Sequence, residues 1–583
     1  TITGNTIHKI DGGEYTSANG IALGWSTGDH DITNAVIEDN TIYDIDSNIS
    51  AWPVGRGAYG VIINHARTSH AGQTVGVIVR NNTITDLEGL WVHGIGLEGD
   101  TPDALVQGNV LSNFTDHKVE NDAVGVFFED NGFVSSTLVT HNSFTNMAYG
   151  VASVVAGAID APLNWYGSAD PATVAAQIGA VPGAEIDFSP WLSSGIDADA
   201  GTAGFQGDLS DLWVGPGGSI QEAIDAVVGS TVNVAAGNYD ENLSIDKSVT
   251  ILGPNDDLSP NTDTRVAEAV LMPSGGAAIT GSANDIDVVI KGLTVDMANT
   301  AEGDRFMNQT GKTGTTWTFA HNIFQNAFYT TSGHWLLNGN NVGLVFTLTD
   351  NFFTGNEVSN GIAIWDVGGF TIDVQDNVWE DNGYTAMNLN RAQGVIKNNV
   401  FRDTRTIDVN DANYYWGDYQ SGILLAQDNF DLEISGNLFD NVHYGVSMYA
   451  NVDGPIEIID NVFDGAIVSA VRASSYQPEA GRDLADVVVT SNSFVNFAGA
   501  SEGNFVISNS RVDEAPLDAI GNWFGDPAGP YHPTNNSGGD VDTPVSDFVL
   551  FDPFLEGSII ANPDPLDLTV ASPTGTTTIS YLG

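Results

Sequence analysis

Three polar residues fall into one column when the glycine-led segments in the first third of the chain are aligned. Gly60-Val61-Ile62-Ile63, Gly94-Ile95-Gly96-Leu97 and Gly125-Val126-Phe127-Phe128 are followed by Asn64, Glu98 and Glu129. His65 and Asp130 take the next place, and Arg67 and Asp100 lie just beyond. If the segments are stacked strands, members of a column sit roughly 5 Å apart. Carboxylate and amide oxygens at that spacing suit a hard cation such as Ca²⁺. A histidine among them suits proton transfer, and the same group could hold a glycan. The plainer reading is a polar edge where strand meets loop. That reading is preferred from sequence, so no residue is assigned a catalytic role. The equivalent places later in the chain are uneven: Asp366, Asn388, Gln427 and Asp428.

The elements that would position such a column repeat throughout the chain. An apolar residue leads into a polar pair ending in Asn, with a large apolar residue two places on, as in Ile459-Asp460-Asn461-Val462-Phe463. The recurring positions are Asn40, Asn82, Asn109 and Asn142, then Asn322, Asn351, Asn377, Asn399, Asn437, Asn461 and Asn492. Asn5, Asn164 and Asn522 extend the two series. The shortest interval is 22 residues, from Asn142 to Asn164 and again from Asn377 to Asn399. That length is too short for a helix-pair repeat or a propeller blade and fits three short strands joined by turns. Alternating β-branched runs such as Val77-Ile78-Val79 and Leu432-Glu433-Ile434 support strands. Each Asn is expected at a bend, itself in a left-handed conformation, with its amide stacked on the next copy in a buried ladder. Residues 219–228 open with Ser219-Ile220-Gln221-Glu222, a capping box, and are expected to form a helix that caps a solenoid end.

Asn164-Trp165-Tyr166-Gly167 and Asn522-Trp523-Phe524-Gly525 are paired closing motifs. They divide the chain into a first solenoid (1–195), a linker (196–210) and a second solenoid with its capping helix (211–560). A tail or further β element (561–583) follows. Thr1 already lies inside the repeat, so the chain is expected to be a processed product or part of something longer.

Composition narrows the setting. Asp and Glu number 74 against 17 Lys and Arg, a formal charge of -57, and there is no Cys. Such a surface repels nucleic acid and anionic membranes. Thiolate chemistry is excluded, and no apolar run reaches the roughly 18 residues of a membrane span, so no membrane insertion is expected. The helix-loop-helix calcium motif is absent, since Asp44-Ile45-Asp46-Ser47-Asn48 lacks the later Gly and Glu. Ca²⁺ remains a possible ligand through charge alone.

The Gly-Gly-Ser-Ile-Gln-Glu-Ala-Ile opening at 217–224, the Asn-x-Phe repeats and the Asn-Trp-Phe-Gly ending resemble bacterial right-handed parallel β-helix repeat proteins of the pectate-lyase-like superfamily. The resemblance spans about 1–195 and 211–560. It implies an all-β fold of two tandem right-handed parallel β-helices and a secreted or cell-surface, bacterial extracellular location. Polygalacturonase-like motifs are incomplete. Asn261-Thr262-Asp263 and Asp256-Asp257 share one loop, His93-Gly94-Ile95 lies elsewhere, and no Arg-Ile-Lys exists. Trp25, Trp52, Trp91, Tyr414, Tyr415 and Trp416 could stack on sugar rings. With no complete catalytic set, the expectation is a non-enzymatic structural or adhesive protein. It would be a segment of a surface layer, fibre or adhesin that self-assembles head to tail. The alternatives are a polysaccharide lyase, epimerase or hydrolase acting on acidic glycans, and a carbohydrate-binding module.

Overall fold

The computed structural model describes residues 1–12, 17–24, 32–47, 57–64, 74–99, 101–117, 123–129, 136–180, 182–301, 304–327, 335–356, 360–383, 385–403, 420–449, 452, 454–474, 484–558, 570–572 and 575–577. Its contacts divide the chain into two units, 1–235 and 236–583. Nearly all regular structure is β, and nearly all strand pairing is parallel. The chain is a parallel β-helix fold.

In the first unit three parallel sheets arise from one strand per coil each. One contains Val36–Glu38, Ile78–Arg80, Leu105–Gln107 and Leu138–Thr140; a second contains Thr41–Ser47, Thr83–Gly89, Val110–Asp116 and Ser143–Thr145. The third runs through Ala18–Leu23, Gly57–Asn64, Trp91–Glu98, Ala123–Glu129, Tyr149–Ser153 and Ile178–Ala180. Each sends a row of apolar side chains inward, since neighbouring residues on a strand point to opposite faces. Ile37, Val79, Val106 and Val139 form one row, Ile42, Ile84, Leu111 and Phe144 the next, and Val61, Ile95, Val126 and Val151 the third; all are buried.

Corners are held by asparagine. The backbone N–H and Nδ2 of Asn82 both donate to Asn109 Oδ1, at 3.0 Å each. The second Nδ2 hydrogen goes to the carbonyls of Ile37 and Arg80. The same bonds join Asn40 to Asn82, Asn109 to Asn142, and Asn142 to Asn164. In the second unit they join Asn322, Asn351, Asn377, Asn399, Asn437, Asn461, Asn492 and Asn522 in turn. The left-handed residue at each corner is the one before the asparagine. Asp39, Asn81, His141, Asp350, Asp376 and Asp460 all have φ between 53° and 59°. This corrects the expectation that the ladder Asn itself turns left-handed. The turn lies one residue earlier, leaving the Asn backbone N–H and amide both facing the next coil.

The second unit carries a ring stack under that ladder. Phe324, Phe353, Trp379, Phe401, Phe439, Phe463, Phe494 and Phe524 lie near-parallel with centroids 4.7–5.3 Å apart. Strands Asn360–Gln375 and Thr385–Lys397 each pair with two successive runs of strands, so they continue round a corner where other coils break.

Two segments differ from sequence expectation. Residues 196–210, read from composition as a linker, fold onto the first unit. Phe205 is buried, its N–H donates to Gly108 O at 2.7 Å, and Asp197 bridges Gly207. A short helix, Pro171–Ala176, also forms where none was anticipated, capped by Asp170 accepting from Thr173 N. The helix in 219–228 spans Ile220–Ala226, with Ser219 accepting from Glu222 N at 3.1 Å and Ile220, Ala223 and Ile224 buried. In the tail, Val570–Ser572 and Gly575–Thr577 pair antiparallel.

Candidate functional site

The third sheet of the first unit positions the candidate residues. Its glycines set the pleat. A Cβ at Gly94 would lie 2.4 Å from Leu111 Cδ2 and 2.8 Å from Gly125 O, so only glycine lets the neighbouring coil approach there. The residue before each glycine then stands on the outer face. Tyr59, His93, Val124 and Tyr149 are in register along this row. Further along the same face Asn64 pairs with Glu98, and Glu98 with Glu129. The column inferred from sequence is thus one row of neighbours at the level of the backbone. Glu98 is nearly buried and Glu129 partly exposed. The Asn64 side chain, and all of His65, Arg67, Asp100 and Asp130, lie outside the described residues.

Between the two rows the outer face opens into a pocket of about 320 Å³. Trp91, His93, Phe127, Glu129 and Tyr149 wall it, and small residues (Ala152, Gly179 and Ala180) lie among its lining. A Cβ at Gly179 would come 2.9 Å from Ala152 Cβ and 3.2 Å from the Tyr149 ring, so the missing side chain makes the space. Gly96, on the same outer row, likewise leaves room beside Tyr59.

His93 is the unusual group. It is 3% exposed, wedged edge-on to Tyr59 at 5.2 Å and tilted against Phe127 at 4.4 Å. Its Nδ1 is buried with no hydrogen-bond partner among the described residues and faces Glu129 Oε2 across 3.8 Å, longer than a hydrogen bond. Burial lowers its pKa to about 3, so the ring is neutral over the physiological range. A neutral imidazole in an apolar wall, a carboxylate within reach and a phenol across the pocket can move protons. Aromatic and small-residue walls suit a sugar ring.

Among the described residues no group of three or more His, Asp or Glu side chains is placed to hold a metal ion. Glu98 and Glu129 are the two described carboxylates of the column, so no step is assigned to Ca²⁺. In the second unit, Asn388 is buried and pairs in register with Leu424, while Gln427 pairs with Asn390. Asp428 is 3.5 Å from the Arg391 guanidinium. These groups form no continuous row, and the Asp366 side chain lies outside the described residues. The Asn261-Thr262-Asp263 loop is a strap over a corner. Asn261 Nδ2 donates to Asp350 Oδ1 at 2.7 Å, Ser259 Oγ donates to the same oxygen, and Asp263 accepts from Ser259 N. Of the aromatics singled out for sugar stacking, Trp91 lines the pocket; Trp25, Trp52, Tyr414, Tyr415 and Trp416 lie outside the described residues.

His93 was noticed in sequence only as part of His93-Gly94-Ile95, and Tyr149 was missed. Part of the signal was present: the alignment that finds Asn64, Glu98 and Glu129 after each glycine-led strand also finds Tyr59, His93 and Val124 immediately before its glycine, and extending it to Gly150 adds Tyr149.

The geometry is that of a parallel β-helix with a pocket on the outer face of one sheet. No family model matches the chain, and no curated protein matches it. Among solved structures it is similar to the PL6 family alginate lyase AlyGC, with 14% identity, a TM-score of 0.35, and 89% of this chain and 77% of that chain covered. It is also similar to the alginate lyase AlyF-OU02, with 10% identity, a TM-score of 0.21, and 92% and 97% covered. A third is a PL6 alginate lyase in complex with a trisaccharide, with 10% identity, a TM-score of 0.17, and 87% and 89% covered. These neighbours are enzymes, and they correct the expectation of a non-enzymatic surface-layer, fibre or adhesin segment in favour of the enzyme alternative. Among the described residues no helix is long and apolar enough to cross a membrane.

Proposed function

We propose that this chain is a polysaccharide lyase acting on an acidic, uronate-containing glycan bound along the outer face of the third sheet of the first unit. The observation that carries the reading is the pocket in which neutral His93, Glu129 and Tyr149 converge. A uronate residue has an acidic proton on the carbon bearing its carboxyl group, and the glycosidic oxygen is β to it. Elimination there needs one proton acceptor and one proton donor on a ring-sized scaffold, which the pocket walls supply. A polymeric substrate fits an enzyme that works outside the cell that makes it.

The test is incubation with alginate, pectate and polygalacturonate, followed by ultraviolet absorbance of the new carbon–carbon double bond conjugated to the carboxylate. Growth of that absorbance supports the reading. None on any of the three refutes it. One observation favours a second reading, hydrolysis. Glu98 and Glu129 are in-register neighbours on adjacent strands, and glycoside hydrolysis uses a pair of carboxyl groups. New reducing ends without the ultraviolet signal would select it.

A further inference from the structure

The outer-face row holds three proton-bearing side chains, Tyr59, His93 and Tyr149; of these His93 and Tyr149 line the pocket, on strands separated by one other. His93 pairs with Val124, and Val124 with Tyr149, so the two backbones are roughly 10 Å apart. Both side chains line the same pocket. Val124 between them is apolar and buried, and the small residues at 152, 179 and 180 leave the space outside open. The pocket between them is of a size to take a sugar ring, and both groups border it.

We propose that His93 is the proton acceptor and Tyr149 the proton donor of a β-elimination at a uronate residue, with Glu129 positioning the imidazole. The assignment rests on the lyase reading above and names the residues that carry it. The neutral ring holds its hydrogen on Nδ1, directed at Glu129 Oε2, and presents Nε2 to the pocket. Nε2 takes the proton from the carbon bearing the carboxyl group, C5. The C5–H electron pair becomes the C4=C5 double bond. The C4–O4 bond breaks, its pair leaves on O4, and O4 takes the phenolic proton of Tyr149. The products are an unsaturated uronate and a shortened chain with a free hydroxyl. The imidazolium and phenolate then exchange a proton through solvent, with no oxidant or co-reactant consumed. Glu129 acts on the imidazolium. The 3.8 Å gap between Nδ1 and Oε2 closes to a charge-assisted hydrogen bond as the ring becomes cationic, in the manner of a carboxylate that orients a catalytic histidine. The groups facing the ring are Tyr59 from the preceding coil, Glu129 and Phe127 from the following one, and Glu98 further along its own strand.

The variants are His93→Gln, Tyr149→Phe and Glu129→Gln in the full chain. Turnover of alginate and polygalacturonate is followed by ultraviolet absorbance, and binding of a saturated oligouronide by calorimetry. His93→Gln and Tyr149→Phe should each lose about 10²-fold or more in kcat while binding the oligouronide within about threefold of wild type, a factor worth less than one decade of affinity. Glu129→Gln should lower kcat with little change in KM and move the acid limb of the pH profile, a pattern that loss of packing alone would not produce. Wild-type kcat in either His93→Gln or Tyr149→Phe overturns the assignment while leaving the lyase reading standing. A wild-type chain that binds oligouronide but never produces the ultraviolet signal overturns the lyase reading and the assignment with it. Retained circular dichroism and oligouronide binding exclude misfolding as the cause of a lost rate.

Discussion

Replacing Asn461 by Leu removes one rung of the second unit's ladder. Asn461 Oδ1 accepts from both N and Nδ2 of Asn437, at 2.9 Å each. Its own Nδ2 donates to Asn492 Oδ1, Ile434 O and Ile459 O. Leucine has the same number and branching of side-chain heavy atoms, so the polar loss is the chief change. Asn437 Nδ2 keeps the Ile396 carbonyl, and the backbone N–H of residue 461 keeps Asn492 Oδ1. The Asn437 backbone N–H is left buried with no acceptor. One orphaned buried donor costs about 1–3 kcal/mol, and the weakened carbonyls add a smaller amount, so the expected loss is about 3 kcal/mol. The assay is denaturant unfolding, with amide exchange to show that protection falls first in the coils around 437–492. The control is Asp460→Asn, one residue earlier. That site is exposed and left-handed at φ 55°, a conformation Asn tolerates, so little change is expected. An unchanged midpoint for Asn461→Leu would refute the view that the ladder is a stabilising element.

Other consequences are as direct. The wild type should lose stability as pH falls from about 6.5 toward about 3, because the unfolded chain protonates His93 and the folded chain does not. The His93→Gln variant should lack that component, worth at most about 1.4 kcal/mol per pH unit, and parallel stability curves for the two proteins would disprove it. Ala180→Trp places a large ring at an exposed position lining the pocket; oligouronide affinity should fall more than tenfold, about 1.4 kcal/mol or more, with unfolding midpoint unchanged. Arg511→Met leaves the carbonyls of Ser474 and Met448 without that donor and takes the ion pair from Glu514, so unfolding measurements should show a loss of about 3–5 kcal/mol. With a net charge of -57, the protein repels a polyuronate at low salt, so kcat/KM should rise as added salt screens the encounter; a rate that falls with salt would place a cationic patch in the path of the substrate.

The repeat was legible because the coil is a local object. Asn at a corner and a large apolar residue two places on recur from turn to turn, and a Gly-led strand follows in many of them. Alternation with a period of two separates inner from outer side chains on the strand after each glycine, where Ile95 and Leu97 are buried in the core. The column Asn64, Glu98 and Glu129 followed from that alignment alone. What composition does not record in 196–210 is that Phe205 finds a buried place on coils nearly a hundred residues earlier. Tyr149 was passed over for a related reason, since a tyrosine ahead of Gly150 looks like one more strand residue until its neighbours are known.

The sequence by itself therefore determined the kind of fold, the corner asparagines and the rows of side chains, all of which depend on spacing along a single coil. Only the tertiary structure decided which outward residues share a pocket. It took the stacking of five coils, from Tyr59 to Gly179, to set a buried histidine against Glu129 and across from Tyr149, and the absent side chain at Gly179 to open the space between them. Burial is a property of neighbours from other coils, so the neutral state of His93, on which the proposed chemistry turns, is written in no single repeat.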